Sequence, residues 1–436
     1  MKSIFSSRVL LATGVFAALA GGCAKQGTVE KGTSSGGGTG AKENELVLIS
    51  PHSADIQYEF ERAFKAQNPE VNFRWLDQGG SSNVLRSIEG DFQGKAAGEG
   101  IGVDVLFGGG AETTLDLAKK NLLQPLPQSY GVPAQMSGVP LRGAKNEWMG
   151  AVLSGFGIIY NKTIATRDKL PVPKRWSDLA DNKLSERVVM ADPRQSGVGH
   201  MVCEIILQAE GWDKGWQTLN GIGANATSWS SSSSAVPDDI ASGEAVFGPI
   251  IDFYAATKIA AAGKEKLGYV ESSGENLVTP DPIAILRGAP HKALAEKFVA
   301  FVMSPQGQKL WMLPVGAPGG PQKNALYRRP IAPSAYPVPK NALVTGNPYA
   351  SKSGFRFDAS KSSARRRALD DLIGAVLIDG GDALKARRAK NPDDALAWTP
   401  ISEAEFNKLA TKWDDQTLRN EQISKWTSAA RAQWAK

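Results

Sequence analysis

Residues 103–121 read VDVLFGGGAETTLDLAKKN, and this stretch decides the architecture. Val103 to Phe107 is an apolar run of strand length. Gly108-Gly109-Gly110 ends it, and a helical pattern runs from about Thr113 to Asn121. The same order of strand, loop and helix occurs upstream. Glu45 to Ser50 (ELVLIS) reads as a buried strand and Pro51 to Ala54 as a turn. Ile56, Phe60, Ala63 and Phe64 then recur at helical spacing until Asn68-Pro69. Val71 to Leu76 (VNFRWL) alternates as a second strand, and Gly79-Gly80-Ser81-Ser82 opens a helix near Asn83 to Gly90. Strands alternating with helices predict a parallel sheet with helices on both faces.

Downstream, Trp148 to Tyr160 (WMGAVLSGFGIIY) is too long for an ordinary strand and too rich in glycine for a helix, so a strand pair or a crossover is expected. Arg187 to Asp192 is a strand, and Met201, Val202, Ile205, Ile206 and Ala209 form a helical face closed by Gly211. Val246 to Ile251 and Gly268 to Val270 are short strands. Ala284 to Arg287 begins a return segment, and Lys292 to Met303 is a periodic helix. From about Pro330 the prolines Pro333, Pro337, Pro339 and Pro348 mark an extended stretch, followed by helix-like segments over Ala364 to Ile378 and Glu403 to Trp434.

The chain has 436 residues, of which 42% are apolar and 22% charged, with a formal charge of +6. That length suits two domains or one two-lobed domain of ordinary globular composition. Two cysteines exclude a disulfide scaffold or a Cys-rich zinc site, and three histidines leave little for a His-based metal site. The basic runs Arg365-Arg366-Arg367 and Arg387-Arg388 lie among Asp370, Asp371, Asp379 and Asp382, so they read as solvated helix faces and no nucleic-acid partner is expected. His200 and His291 read as surface or helix-cap residues, and Cys203 as a buried helix position.

The first 22 residues carry Lys2 and Arg8, an apolar run from Val9 to Leu19, and then small residues up to Cys23. The run is too short to span a bilayer and reads as a signal-peptide core. Leu19-Ala20-Gly21-Gly22-Cys23 resembles a bacterial lipobox, with Leu19 one place earlier than the usual pattern. Residues 1–22 are thus expected to be a lipoprotein signal peptide, with Cys23 the lipidated residue anchoring the chain to a membrane. Residues 23–44 are rich in Gly, Ser, Thr and Lys and read as a flexible tether. The expected location is the periplasm or cell envelope.

No HExxH, GxSxG, Walker or full GxGxxG motif occurs. What recurs is a set of small polar loops at strand ends: Ser50-Pro51-His52-Ser53, Gly79 to Ser82, Gly108 to Ala111, Ser196 to Gly199, and Ser230 to Ser234. Helix N-termini carry unpaired N–H groups and partial positive charge, and glycine lets a ligand approach the backbone. Several such ends converging on one crevice make an anion site, although each alone is an ordinary cap.

VLISPHSADI (47–56), VDVLFGGGAETTLDLAKKNLLQPL (103–126), ADPRQSGVG (191–199), SSSAVPDDIASGEAVFGPIIDFYA (232–255) and KALAEKFVAFVMSPQGQKLW (292–311) together resemble bacterial extracellular solute-binding proteins of ABC importers. The likeness is to the branch with ferric-iron-binding and phosphorylated-compound-binding members. The resemblance implies an α/β fold of two lobes joined by crossing hinge strands, with ligand in the cleft between them. Lobe one would be 45–150 plus 278–340, lobe two 151–277, and 341–436 a helical C-terminal extension. It also implies a monomer that is not an enzyme, needs no cofactor, and delivers its solute to an ABC permease.

For the ligand, the resemblance offers two readings. A small anionic or phosphorylated solute would be held by Ser50, His52, Gly80, Ser81, Gly109, Gly110, Ser196, Gly197 and Ser231. Asp252 would accept from an amine or hydroxyl, and Trp229 or Tyr254 would cover an apolar part. The alternative is ferric iron or an iron chelate on His52, Asp252 and Tyr254, where Phe253 replaces one of the two tyrosines ferric-binding relatives use. A hydrolase or sensor on the same scaffold is the other class. A hydrolase would need His52 to act as base for Ser50 or Ser53.

Overall fold

The strand Met149–Asn161 is the spine of the fold. In the computed structural model, which describes residues 44–350 and 355–436, this strand runs unbroken through two half-sheets. Its first part, up to Gly155, pairs antiparallel with the return strand Val278–Leu286. From Phe156 onward it pairs with Phe247–Ile251 on one side and Leu267–Glu271 on the other. The expected crossover is therefore one 13-residue strand, and its glycines sit where neighbours crowd it. A Cβ on Gly157 would lie 2.3 Å from the Val270 carbonyl oxygen, and one on Gly150 2.8 Å from Pro280.

The first lobe's half-sheet places Glu45–Ile49 between Asn72–Leu76 and Val105–Phe107, all parallel, with the return strand antiparallel beyond. Because strand side chains alternate, Leu46 and Leu48 face one apolar layer with Phe60, Phe64, Phe298 and Trp311. Val47 and Ile49 face the other, with Val84, Ile88, Leu117 and Trp148. The helices Ala54–Lys65, Ser81–Phe92, Ala111–Lys119 and Lys292–Met303 supply these covers. A sheet covered on both faces explains why its strands read as continuous apolar runs.

In the second lobe, Phe247–Ile251 lies parallel to Val188–Ala191, which lies parallel to Ala226–Ser230. Ile159, Val189, Val236, Ile240 and Ile250 fill one side. The other side is filled by the helices Gly197–Glu210 and Trp212–Asn225 together with the C-terminal helices Ala359–Ile373, Gly381–Lys390, Glu403–Ala410 and Gln416–Trp434. Leu369, Leu372, Phe406, Trp413, Trp426 and Trp434 share one core with Ile158, Met190 and Ile206. The extension is thus continuous with this core. A π-helical turn, Gly374–Ile378, ends the first of its helices.

Two expectations are corrected here. Arg365 and Arg366 are buried, at 2% and 5% exposure, because each has a carboxylate partner on another helix. His200 is fully buried for the same reason, between Asp370 and Glu112. Cys203 is a buried thiol whose pKa is pushed well up by burial. The signal peptide, Cys23 and nearly all of the tether lie outside the described residues. Among the described residues no helix is long and apolar enough to cross a membrane.

Candidate functional site

The loop Gly79-Gly80-Ser81 of the first lobe faces Gln195-Ser196-Gly197-Val198 of the second across a cavity of about 550 Å³. At one edge the lobes touch, since a Cβ on Gly80 would lie 2.8 Å from the Gln195 carbonyl oxygen. Pro51 to Ala54, Gly109, Ser231 to Ser234, Phe253, Tyr254 and Asp281 complete the walls. Two helices start here from opposite sides. Ser81–Phe92 begins at Gly80, which has no side chain to offer, so no side chain caps this helix start at the cavity rim. Gly197–Glu210 begins at Ser196, whose hydroxyl accepts from Gly199 N at 3.2 Å.

Eight of the residues singled out from sequence line this cavity: His52, Gly80, Ser81, Gly109, Ser196, Gly197, Ser231 and Tyr254. Ser50, Gly110, Trp229 and Asp252 do not. Ser50 is fully buried, donating to the Phe107 carbonyl at 2.6 Å and accepting from His52 N at 3.0 Å. Its hydroxyl is therefore engaged away from the His52 ring. Gly110 is the N-cap of Ala111–Lys119, and its N–H donates to Asp281 Oδ1 at 3.1 Å. Trp229 packs against the second lobe's core from its outermost strand.

Asp252 belongs to the hinge. One oxygen accepts from Gly155 N at 2.8 Å, at the point where the long strand changes partners. The same oxygen accepts from Arg329 at 2.8 Å, and Arg329 also bonds Glu271 at 2.7 Å. Burial raises the Asp252 pKa, against the pull of Arg329. Asp252 lines a separate cavity of about 850 Å³ with Tyr269, Arg329 and Val344. Residue 252 follows the strand end at Ile251, and sequence alone does not say on which side of the sheet such a residue emerges.

His52 lines the cleft with its ring turned inward. The ring meets Phe107 edge-on with centroids 4.8 Å apart, and Nε2 has no partner among the described residues. It lies against Gly108, where a Cβ would come within 2.8 Å of Nε2. Gly108, Gly109 and Gly110 all have positive φ, from 78° to 100°, so only glycine suits this turn. Burial, with Arg328 acting in the same direction and Asp281 against it, pulls the His52 pKa down to about 4, which makes the ring neutral at pH 7.

The ferric set of His52, Asp252 and Tyr254 is accordingly not assembled: one member faces the core and another is held at the hinge. Among the described residues no group of three or more His, Cys, Asp or Glu side chains is placed to hold a metal.

Asp77, Asn83, Arg86, Gln195 and Asp281 also line the cleft and were not read from sequence. Asp77 and Arg86 flank the Gly79-Gly80-Ser81-Ser82 loop, which was the available signal. Asp281 lies on the return strand three residues before the point where the sequence showed a strand. Its partner is the fully buried Arg328, which also donates to Ser154 at 2.6 Å and lies 4.2 Å from the Phe253 ring centre. Burial opposes ionisation of Asp281, but Arg328 and His52 outweigh it and lower its pKa.

The two-lobe fold agrees with the comparisons with known proteins. Residues 62–326 match the model of the bacterial extracellular solute-binding protein family. The chain belongs to that family. It is 26% identical over 314 residues to the phosphoglycerate transport regulatory protein PgtC of Salmonella typhimurium, covering 70% of this chain and 76% of that protein. Its fold is similar to that of the periplasmic binding protein AfuA from Actinobacillus pleuropneumoniae with fructose-6-phosphate bound. There the TM-score is 0.60 at 18% identity, over 80% of this chain and 98% of that one. Iron-bound HitA from Pseudomonas aeruginosa gives 0.55 at 19% identity, over 76% and 99%. AfuA and HitA are matched almost whole, and the match to the family model ends at residue 326. The C-terminal helices from Ala359 onward lie beyond it.

Proposed function

We propose that this solute-binding protein captures a small phosphorylated anion in the cleft between its lobes and delivers it to an ABC permease. The observation that carries the reading is the meeting of two helix N-termini, at Ser81 and Gly197, across a cavity walled by glycine and serine. Backbone N–H groups and the positive ends of two helices suit phosphate oxygens. A hard cation would want convergent carboxylates or phenolates, and here Tyr254 is the one member of the ferric set that faces the cavity with its side chain uncommitted to the hinge or the core. The phosphoglycerate-transport name of PgtC and the fructose-6-phosphate bound to AfuA support the same class. The neutral His52 contributes shape, its ring packed behind the glycine turn against Phe107 and Gly108. Cys23, lipidated, would anchor the monomer to the envelope membrane through the segment up to residue 44.

Calorimetric titration with 3-phosphoglycerate, fructose 6-phosphate and inorganic phosphate tests this, beside ferric citrate. At least one phosphate compound is expected to bind. Ser81→Asp would place a carboxylate at a helix start, where it suits the helix dipole but repels an anion. It is expected to weaken binding roughly a hundredfold, about 2.7 kcal/mol, without lowering the melting temperature. Tight binding of ferric citrate with no response to any phosphate compound would overturn the reading.

A further inference from the structure

One helical turn from Gly197, the second lobe's His200 meets the first lobe's Glu112, with Nε2 3.4 Å from the carboxylate. Both are covered by the C-terminal helix Ala359–Ile373, which touches both lobes. On the second lobe, Asp370 of this helix bonds His200 Nδ1 at 2.7 Å, and Arg365 bonds Glu204 at 2.8 Å. On the first, Ser362 donates to Glu112, Ser363 donates to Asp116 at 2.7 Å, and Lys119 donates to Ser363 at 2.9 Å. Arg366 reaches the same place. Its guanidinium is 3.8 Å from Glu112 and 3.4 Å from the Ser82 hydroxyl, beside the first turn of Ser81–Phe92.

We infer that the helix Ala359–Ile373 is an interlobe strap that limits how far the cleft opens, with Glu112 as its release point. Charges balance in this buried place. His200 and Arg366 bring two positive charges, and Asp370 and Glu112 bring two negative ones. Three of the four belong to the second lobe or the extension packed on it, and only Glu112 comes from the first. His200 and Arg366 keep Glu112 ionised against the effect of its burial, with a pKa held down to about 2. Swinging the first lobe away would withdraw that carboxylate and leave a net positive charge under the helix, so opening requires water to enter the cluster. Each side of the strap is also fixed to its own lobe by further bonds, at Ser363 on one side and Arg365 on the other.

The test needs no ligand, so its result is independent of the anion reading. Spin labels are attached to the full chain at exposed positions, one per lobe, through Glu70→Cys and Glu244→Cys, with Cys23→Ser and Cys203→Ala removing the native thiols. Electron–electron resonance then gives the interlobe distance distribution. A single narrow distance is expected with the strap intact, and a second, longer population in Glu112→Gln and in the milder Ser362→Ala/Ser363→Ala pair. Arg367→Ala, on the exposed face of the same helix, is the control and should stay narrow. A broad distribution with the strap intact, or strap variants that stay narrow while retaining a folded melting transition, would overturn the inference. If Glu112→Gln fails to fold, the serine pair and the intact chain still decide.

Discussion

Where Ser81 faces Gly197, the lobes present glycines, serines and backbone N–H groups to a cavity of about 550 Å³. Where Glu112 faces His200, one helical turn away, they present buried charges to one another, each with its partner in place. The same helix, Gly197–Glu210, serves both. The difference shows two solutions to one electrostatic problem. A helix start and nearby cations favour an anion between the lobes. In the strap the protein supplies that anion itself, as Glu112. In the cleft it leaves the place for a solute. The charged contact is satisfied with the lobes as they stand, and on the anion reading the cleft is satisfied by its solute.

The largest effect expected on the satisfied side comes from Arg365. Its guanidinium is 2% exposed, is bonded to a Glu204 that is fully buried, and stacks 5.0 Å from the Trp212 ring centre. Arg365→Ala would leave that carboxylate buried and unpaired, a loss of about 3–5 kcal/mol. Urea unfolding measures it. The double change Arg365→Met/Glu204→Leu, which removes both charges and keeps volume, should recover most of the loss. If it does not, the pair contributes through its charge, and the apolar packing around Trp212 is the lesser part.

A smaller effect follows from His200. Burial alone would lower its pKa, but Asp370 and Glu112 outweigh burial and raise it to about 10. The group is therefore more readily protonated folded than unfolded, where its pKa is about 6.5. The stability it contributes is complete below pH 6.5 and is lost as pH rises towards 10, with a slope of at most about 1.4 kcal/mol per pH unit. Arg366, Glu204 and Cys203 also face this cluster, and burial raises the pKa of both Glu204 and Cys203. Melting temperatures measured from pH 6 to pH 9.5 should fall in the native chain and fall less in His200→Gln. A flat native profile would mean that His200 is neutral in the folded chain and that Glu112 is held by Arg366 and Ser362 alone.

Much of the two-lobe plan was legible because it rests on local pattern. Runs such as ELVLI and VLF, each followed by a small-residue loop and an apolar helical stripe, state a covered parallel sheet without help from distant residues. The loops that open helices could be read for the same reason, and seven of the ligand residues drawn from them line one cavity. The helix Trp212–Asn225 was missed because Gly215, Gly221 and Gly223 disguise it. Those glycines are needed for close packing: a Cβ on Gly221 would lie 2.5 Å from Ala180, and one on Gly215 2.9 Å from Leu207. The strap was invisible for a different reason. Whether an arginine run is solvated or buried depends on its partner, and Arg365 finds its own 161 residues away.

The smallest effect separates the cleft from its hinge. From sequence, Asp252 stood beside Tyr254 as a ligand residue, yet its carboxylate ties Gly155 N and Arg329 together where the long strand changes neighbours. Asp252→Asn keeps the shape and removes the charge, so Arg329 retains Glu271 as its carboxylate partner at the crossing. The expected cost is about 1.5–3 kcal/mol of stability, the range for a charge-assisted hydrogen bond. Affinity for a phosphate compound should change far less than in Ser81→Asp, because the hinge is loosened while the cavity wall stays in place. Calorimetry on the two variants side by side checks this ordering. Should Asp252→Asn abolish binding while melting normally, the carboxylate touches the solute in the bound form, and the lobes must rearrange around Gly155 to bring it there.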